Sequence, residues 1–207
     1  MTSDNRIKVG RRSIAVSSLD KLLFPAQGGA EAVTKGELIE YYRQVAPILL
    51  RYLKGRPLSL QRYPGGIAEQ GFYQKEVPDY FPDWIDRARI EVLETGEIQE
   101  QVICNDPATL VYLANQNTIT FHPWLSRADR LYYPDKLIFD LDPPGEFEAA
   151  RQAAWLLRDL LTELGLRPFV MTTGSRGLHV VAPLDRKADF DAVRDFARDL
   201  AVLLARQ

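Results

Sequence analysis

The stretch Lys136-Leu-Ile-Phe-Asp-Leu-Asp-Pro-Pro144 decides how the second half of this sequence folds. Three apolar residues, Leu137 to Phe139, precede Asp140, Leu141 and Asp142, and two prolines end the run. The pattern predicts a buried strand on which Asp140 and Asp142 face one side while Leu141 faces the other. Neighbouring carboxylates repel each other unless water solvates them, they share a proton, or a divalent cation binds between them. The stretch alone is therefore compatible with a metal site or with a solvated strand end.

Alternating helix and strand patterns follow this stretch. Residues Phe147 to Leu164 form an amphipathic pattern that predicts a helix ending at Gly165. Two strands are predicted next, over Arg167–Thr173 and Leu178–Pro183, and they should pair antiparallel because the loop between them is too short for a parallel crossover. A last helix is predicted over Asp189–Arg206, with Asp189 as its N-cap.

The loop between those two strands, Gly174-Ser-Arg-Gly177, combines flexible backbone, a hydroxyl and a guanidinium. Glycines allow a close backbone approach to a polyphosphate, and Arg176 can bind phosphate through two hydrogen bonds. Glycine-rich hairpins are common, so the loop is weak evidence by itself. Its position after the acidic strand predicts a metal beside a polyphosphate, as phosphoryl or nucleotidyl transfer requires.

Charge is distributed unevenly along the 207 residues. Residues 1–75 contain 12 Lys and Arg against 6 Asp and Glu, although the whole chain carries a net charge of −2. A basic first part followed by an acidic remainder suits a division between phosphate binding and cation binding, but chance scatter of surface charge could give the same imbalance.

Cys104 is the single cysteine, so no internal disulfide can form, and no apolar run is long enough to span a membrane. The starting Met1–Arg6 segment lacks the apolar core of a signal peptide, so we expect a cytoplasmic protein without membrane contact.

The basic first part begins with a cluster at Lys8–Arg12 and a short strand at Ile14–Val16. A capping box formed by Thr34 and Glu37 predicts a helix that runs to about Leu53. Pro47 is expected to bend or interrupt this helix. Its apolar stripe is predicted from spacing to comprise Leu38, Tyr41, Tyr42, Val45 and Leu49.

Aromatic and cationic residues alternate on the next predicted strands, Arg56–Tyr63 and Gly71–Lys75. Rings bind bases and cations bind phosphates, so this combination suits single-stranded or end-bound nucleic acid. The four residues concerned are Arg62, Phe72, Tyr73 and Lys75. Aromatic residues on strands are also common in protein cores, which is the structural alternative.

Three further elements are predicted before the acidic strand. A hairpin is predicted from Arg89–Leu93 and Ile98–Ile103, and a helix from Asp106 as N-cap to about Gln116. The strand Ile119–Pro123 carries His122, which is either a hydrogen-bonded structural histidine or a residue of the functional site.

Taken together, these motifs resemble the polymerase domain of bacterial ligase D-type end-joining proteins, a branch of the archaeo-eukaryotic primase superfamily. The resemblance covers nearly the whole chain. It is carried by Leu19-Asp-Lys-Leu-Leu-Phe-Pro25, Thr34-Lys-Gly36, Gly55-Arg-Pro57, Gly71-Phe-Tyr-Gln-Lys75, His122-Pro-Trp124, Phe139-Asp-Leu-Asp-Pro143 and Gly174-Ser-Arg-Gly-Leu-His179.

The resemblance implies a template-directed nucleotidyltransferase that extends DNA ends, with Mn²⁺ or Mg²⁺ as cofactor and NTPs or dNTPs as substrates. Asp140 and Asp142 match the metal ligands, and with His179 they are the expected catalytic residues. The matching nucleotide-binding residues are His122, Gly174, Ser175, Arg176 and Gly177. The matching DNA-binding residues are Lys21 and Lys35, at the 5′-phosphate of a recessed end, Phe72 and Tyr73, beside the template base, and the neighbouring Arg62 and Lys75.

The resemblance also implies a fold class and partners. We expect an α/β (α+β) primase-polymerase-like fold with mixed or antiparallel sheets flanked by helices around a central cleft. Residues 1–207 should form one such domain, truncated at its C-terminus, with a DNA-end-binding part (1–75) and a metal- and nucleotide-binding part (76–207). Expected partners are 5′-phosphorylated DNA ends, nucleoside triphosphates, a DNA ligase domain and a Ku-type end-binding protein.

Two departures from the family pattern leave rival functions open. Thr173 stands where the family usually has serine, and the family's third metal-binding aspartate lies on a strand beyond the last predicted helix. One rival is therefore a non-catalytic module that binds DNA ends. Another is a haloacid dehalogenase-like phosphatase, whose nucleophile strand resembles Phe139–Asp142, although Pro144 stands where that family requires Thr or Val.

Overall fold

Twelve strands and four helices are formed by the residues that the computed structural model describes, which are 5–92, 95–143 and 145–205. The strands are β1 (Arg6–Val9), β2 (Arg12–Ala15), β3 (Leu22–Phe24), β4 (Val33–Thr34), β5 (Pro57–Arg62), β6 (Phe72–Gln74), β7 (Arg87–Glu91), β8 (Ile98–Ile103), β9 (Thr118–Pro123), β10 (Lys136–Leu141), β11 (Phe169–Thr172) and β12 (Leu178–Pro183). The helices are α1 (Lys35–Leu53), α2 (Pro107–Asn115), α3 (Phe147–Glu163) and α4 (Phe190–Leu204). Among these helices none is long and apolar enough to cross a membrane.

Contacts divide the chain into two compact units, Met1–Trp124 and Leu125–Gln207. The expected boundary between a DNA-end part and a nucleotide part, at residue 75, falls inside the first unit between β6 and β7. The first unit joins residues 1–75 to β7, β8, α2 and β9. The single domain with a DNA-end-binding part and a nucleotide-binding part stays a prediction.

An antiparallel sheet lies at the centre of the first unit, in the order β6-β5-β8-β7 with β9 also paired to β5. Leu58 and Leu60 alternate inward from β5 and are almost completely buried, as the period of two in that strand requires. They share one core with Leu110 and Leu113 of α2, a helix that is buried along nearly its whole length. Asp106 caps that helix through the Thr109 backbone N–H, as the sequence predicted.

Helix α1 begins at the predicted capping box. The Thr34 hydroxyl accepts a hydrogen bond from the Glu37 backbone, and the Glu37 carboxylate accepts one from the Thr34 backbone. Pro47 lies inside a helix that continues to Leu53, so the expectation of an interruption was wrong. The inward face is rotated slightly from the predicted stripe, because Tyr41 is 57% exposed. The buried residues of α1 are Lys35, Leu38, Ile39, Tyr42, Ala46 and Leu53.

The second unit is a three-stranded antiparallel sheet, ordered β10-β12-β11, with α3 joining β10 to β11. The predicted antiparallel pairing of the last two strands is confirmed, with Val170 opposite Val180. Alternate residues of β12 point to the helices, so Val180 and Ala182 share a core with Leu157 and Leu161 of α3 and with Leu200 of α4. Phe139 and Leu141 of β10 pack against the same core.

The expected fold class is confirmed as mixed helices and antiparallel sheets, since every strand pair formed by the described residues is antiparallel. The central cleft stays a prediction. Three predicted positions, Leu93, Pro144 and Arg206, lie outside the described residues.

Candidate functional site

The predicted acidic strand end is β10, and it lies directly against β12. Asp140 is opposite His179 in the antiparallel register, and the His179 Nε2 is 3.2 Å from an Asp140 carboxylate oxygen. The two side chains differ in exposure, at 62% for Asp140 and 27% for His179. The His179 Nδ1 is enclosed and has no hydrogen-bond partner among the described residues. Leu141 packs against the core of the second unit while Asp140 is exposed, so these two neighbours face opposite sides as predicted, and a shared face for Asp140 and Asp142 stays a prediction.

Asp142 follows the last residue of β10 and is exposed. The loop before β12 approaches it very closely at Gly177. A Cβ atom at Gly177 would lie 2.5 Å from the Leu141 carbonyl oxygen and 2.6 Å from an Asp142 carboxylate oxygen. Only glycine avoids that overlap, so the structure brings the predicted phosphate loop and the predicted acid pair together.

Thr173 organises the loop through its hydroxyl. That hydroxyl accepts hydrogen bonds from the backbone N–H groups of Ser175 and Gly177, each at 3.3 Å, and donates one to the Gly177 carbonyl at 3.1 Å. Two of the loop amides therefore point inward. The amides of Gly174 and Arg176 have no partner among the described residues, and the Arg176 side chain is exposed.

Two carboxylates form the acidic part of this site, and the described residues contain no group of three or more His, Cys, Asp or Glu placed to hold a metal ion. Mg²⁺ commonly binds one or two carboxylates and completes its coordination with water and substrate phosphate oxygens. Mn²⁺ accepts the same oxygen ligands. Asp140 and Asp142 thus fit a divalent cation that shares its ligands with a phosphorylated substrate.

A second cluster lies in the first unit, where the predicted lysines meet. The Lys35 backbone N–H donates to the Lys21 carbonyl oxygen at 2.8 Å, which joins α1 to the segment before β3. The Lys21 ammonium donates to the Pro64 carbonyl oxygen. The Lys35 side chain is buried, and its ammonium donates to the Ser17 hydroxyl at 3.5 Å.

Lys35 has an unusual electrostatic environment. Burial, with a further contribution from the positive charges of Lys21 and Arg62, lowers the pKa of Lys35 to about 8. A partly desolvated ammonium among like charges is stabilised by an anion that binds beside it. The cluster therefore has the electrostatics of a phosphate site.

Arg62 has a different position from the one expected of a residue that contacts DNA. It is only 8% exposed, and its guanidinium donates to the Gln116 carbonyl at 2.8 Å, to the Gln116 side chain at 3.3 Å, to the Tyr80 hydroxyl at 2.8 Å and to the Gln74 side chain. It also lies 5.5 Å from the centre of the Phe72 ring. These bonds tie β5 to β6 and to the end of α2, so the geometry gives Arg62 the role of a scaffold.

The predicted aromatic residues are exposed beside this scaffold. Phe72 and Tyr73 are 45% and 60% exposed, and with Lys75 they line a groove of about 700 Å³ that extends to Tyr80. The Tyr73 ring lies 5.4 Å from the ring of His122, which is exposed on β9. Exposed rings with a nearby cation can stack on bases.

Comparison with known proteins gives these clusters a context. The family model of the LigD primase-polymerase domain matches residues 34–207. This chain belongs to the LigD primase-polymerase domain family. The bifunctional non-homologous end joining protein LigD of Bacillus subtilis is 33% identical over 189 residues, which are 89% of this chain and 29% of that protein. The multifunctional non-homologous end joining protein LigD of Pseudomonas aeruginosa is 34% identical over 183 residues, which are 84% of this chain and 21% of that protein.

A solved LigD structure has the same fold. The polymerase domain of Mycobacterium tuberculosis ligase D, determined in complex with DNA, superposes with a TM-score of 0.83 at 28% identity, over 93% of this chain and 69% of that one. The chain spans less than a third of the length of the two curated LigD relatives.

The LigD motifs identified in the sequence locate both clusters, but several contributing groups carried no sequence signal. Tyr80 and Gln116 were not predicted, because their link to Arg62 depends on contacts that are distant along the chain. The Ser17 hydroxyl and the Pro64 carbonyl were missed for the same reason. The local signal that could have drawn attention to Tyr80 is the turn pattern Pro78-Asp-Tyr80 after β6.

Proposed function

We propose that this chain is a template-directed nucleotidyltransferase that adds nucleotides to a primer 3′-hydroxyl at DNA ends during non-homologous end joining. The observation that carries the proposal is the approach of Gly177 to Asp142, which puts a glycine loop with an exposed arginine beside two carboxylates. Membership in the LigD primase-polymerase family supports the same reaction class. The setting is supported by the relatives from Bacillus subtilis and Pseudomonas aeruginosa, which are non-homologous end joining proteins.

Asp140 and Asp142 would hold the divalent cation, Mg²⁺ or Mn²⁺, that this chemistry requires. When bound, such an ion lowers the pKa of an attacking hydroxyl and offsets negative charge on the phosphates. The carboxylates would supply its protein ligands, and triphosphate oxygens and water would supply the others. The His179 Nε2, 3.2 Å from an Asp140 oxygen, holds that carboxylate in orientation, as outer hydrogen bonds to ligating groups commonly do.

The loop and its neighbours would bind the triphosphate. Arg176 can form two parallel hydrogen bonds to phosphate oxygens, and the backbone N–H groups of Gly174 and Arg176 add donors. The Thr173 hydroxyl holds the loop in shape through three hydrogen bonds. Preorganised donors stabilise charge that develops on the pyrophosphate without a cost of reorganisation.

The first unit would bind the DNA end. Lys21 and Lys35 are proposed to bind the 5′-phosphate, because Lys35 is buried among like charges and lacks an acidic partner among the described residues. Phe72 and Tyr73 are proposed to stack on the template base, with Lys75 near its phosphate and His122 near the incoming nucleotide. A ligase domain and a Ku-type protein remain predicted partners, and a cytoplasmic location remains a prediction.

The test compares Asp140→Asn with the parent protein in a primer-extension assay on a 5′-phosphorylated end with a short template overhang. The variant should lose extension with either Mg²⁺ or Mn²⁺ while its affinity for the DNA end stays within about twofold, because a neutral amide is a poor cation ligand. Asp159→Asn is the matched control, since Asp159 is an exposed carboxylate on α3 outside the site. Extension by Asp140→Asn at the rate of the control variant would refute the proposal.

A non-catalytic DNA-end-binding module is the second candidate. The described residues contain no group of three acidic or histidine ligands, which is the observation in its favour. Binding of phosphorylated ends by the parent protein, with no extension from any NTP or dNTP under either metal, would establish this alternative. The family match leaves the haloacid dehalogenase-like phosphatase without support.

A further inference from the structure

The β1–β2 hairpin has two different faces. In its register Ile7 lies opposite Ile14, and these side chains with Val9 and Val16 belong to the core of the first unit. The opposite face carries Arg6, Lys8, Ser13 and Ala15. The hairpin is thus fixed by an apolar face while its other face is exposed to solvent.

Positive charge is concentrated on this hairpin. Between Asn5 and Ser17 the sequence contains four cationic residues and no acidic residue. Two of them have structural contacts, since Arg12 lies 4.4 Å over the Trp84 ring and Arg6 donates to Ser13. Lys8 and Arg11 are exposed and form no ion pair with the described residues.

The hairpin is continuous with the lysine cluster. Val16 follows β2, and the next residue, Ser17, accepts the hydrogen bond from the Lys35 ammonium. Lys8 lies opposite Ser13, which precedes Ser17 by four residues along nearly extended chain. At about 3.3 Å per residue this separation is roughly 13 Å, and Arg11, six residues before Ser17 in the turn of the hairpin, is roughly 20 Å away. Along a DNA duplex these lengths correspond to roughly four and six base pairs at 3.4 Å each.

We propose that the β1–β2 hairpin is a second DNA contact, in which Lys8 and Arg11 bind backbone phosphates of the duplex roughly four to six base pairs inside the end. This inference rests on the proposed function, which puts a 5′-phosphate at Lys21 and Lys35. The packed apolar face holds the hairpin backbone in place, so binding costs little conformational entropy beyond that of the Lys8 and Arg11 rotamers. Phosphate contacts of this kind add affinity without sequence preference.

The test measures binding of a 5′-phosphorylated duplex end by fluorescence anisotropy over a range of salt concentrations. Lys8→Gln combined with Arg11→Gln should weaken binding at low salt by at least fivefold. It should also lower the slope of log K against log salt by about 1.8, at about 0.9 per lost phosphate contact. The matched control is Arg51→Gln with Arg89→Gln, an equal charge change at exposed positions of α1 and β7. The control should leave the slope unchanged within about 0.5, and melting temperatures of both variants should match the parent.

Neutral methylphosphonate linkages, introduced one at a time along both strands, then locate the contact. The parent should lose affinity at linkages about three to seven base pairs from the end, and the hairpin variant should be insensitive there. An unchanged salt slope, or equal sensitivity of both proteins to those linkages, would overturn the proposal and would leave an acidic protein as the remaining partner for this face. The preference for 5′-phosphate over 5′-hydroxyl ends is measured in parallel. Because it depends on Lys21 and Lys35, it persists if only the hairpin inference fails and disappears if the proposed DNA-end function fails.

Discussion

Lys35 should make recognition of a 5′-phosphate depend on pH in a range where few other groups titrate. The pKa of Lys35 is lowered to about 8 by burial and by the charges of Lys21 and Arg62. A bound phosphate stabilises the charged ammonium, so the pKa in the complex is higher than in the ligand-free protein. Affinity for the phosphorylated end is then fully present below pH 8 and falls as the pH rises above it.

The size of the effect follows from the fraction of charged Lys35. With a pKa of about 8, roughly nine-tenths of the ligand-free protein is charged at pH 7 and about one-tenth at pH 9. If only the charged form binds the phosphate, the dissociation constant rises about tenfold over this range, which is about 1.4 kcal/mol. The terminal phosphate loses its second proton near pH 6, so its own charge is nearly constant from pH 7 to 9.

The assay is a titration of DNA ends that differ only in a 5′-phosphate or a 5′-hydroxyl, at pH 7.0, 8.0 and 9.0 and fixed ionic strength. Affinity for the phosphorylated end should decline with pH, and affinity for the hydroxyl end should not. In Lys35→Arg the guanidinium stays charged, so the profile should become flat. In Lys35→Met the affinity for the phosphorylated end should be low at every pH, and its pH profile should also be flat. A flat profile for the parent, or a decline that persists in Lys35→Met, would refute this account of the lysine cluster.

Three further substitutions test other contacts. Gly177→Ala should lower the free energy of unfolding by about 1–3 kcal/mol and displace Asp142, because its Cβ would overlap the Leu141 carbonyl; a variant with parental denaturant midpoint and extension rate contradicts this. Thr173→Val should weaken nucleotide binding at least tenfold, whereas Thr173→Ser should not, because two loop amides depend on the hydroxyl; equal nucleotide affinities in the two variants count against the role. Arg62→Met should cost about 2–4 kcal/mol in urea unfolding, because buried partners lose their hydrogen bonds; a loss of DNA affinity with unchanged stability would restore Arg62 as a direct DNA contact.

Local signals were sufficient for most of the fold. The capping box at Thr34 and the Asp106-Pro107 pair start their helices as predicted, because an N-cap depends on residues within one turn. The short loop before β12 was enough to predict an antiparallel partner for β11. What no spacing rule supplied was the pairing of β12 with β10, which brings His179 beside Asp140.

The parts that the sequence could not predict depend on distant partners. Arg62 belongs to the group of aromatic and cationic residues that predicted a nucleic-acid contact. It is nevertheless buried, because Gln116, 54 positions away, and Tyr80 supply acceptors for its guanidinium. Tyr41 fits the predicted helical stripe, but the packing of α1 selects Ile39 and Ala46 in its place. Periodicity defines a helical face only to within about one residue, and tertiary contacts fix the rest.

Both candidate sites group charges of one sign, and at Lys35 this arrangement opposes folding. The charged form of Lys35 is disfavoured by burial and by the charges of Lys21 and Arg62. Between the folded pKa of about 8 and the ordinary value of 10.5, the unfolded chain therefore binds more protons and stability rises with pH. Asp140 and Asp142 group two negative charges at the exposed end of β10. An anion bound to the first cluster or a cation bound to the second balances charge of one sign, and a ligand that binds only the folded state stabilises it. The grouped charges are thus the features that make ligand binding favourable, which is why they identify these clusters as sites better than hydrophobic packing does.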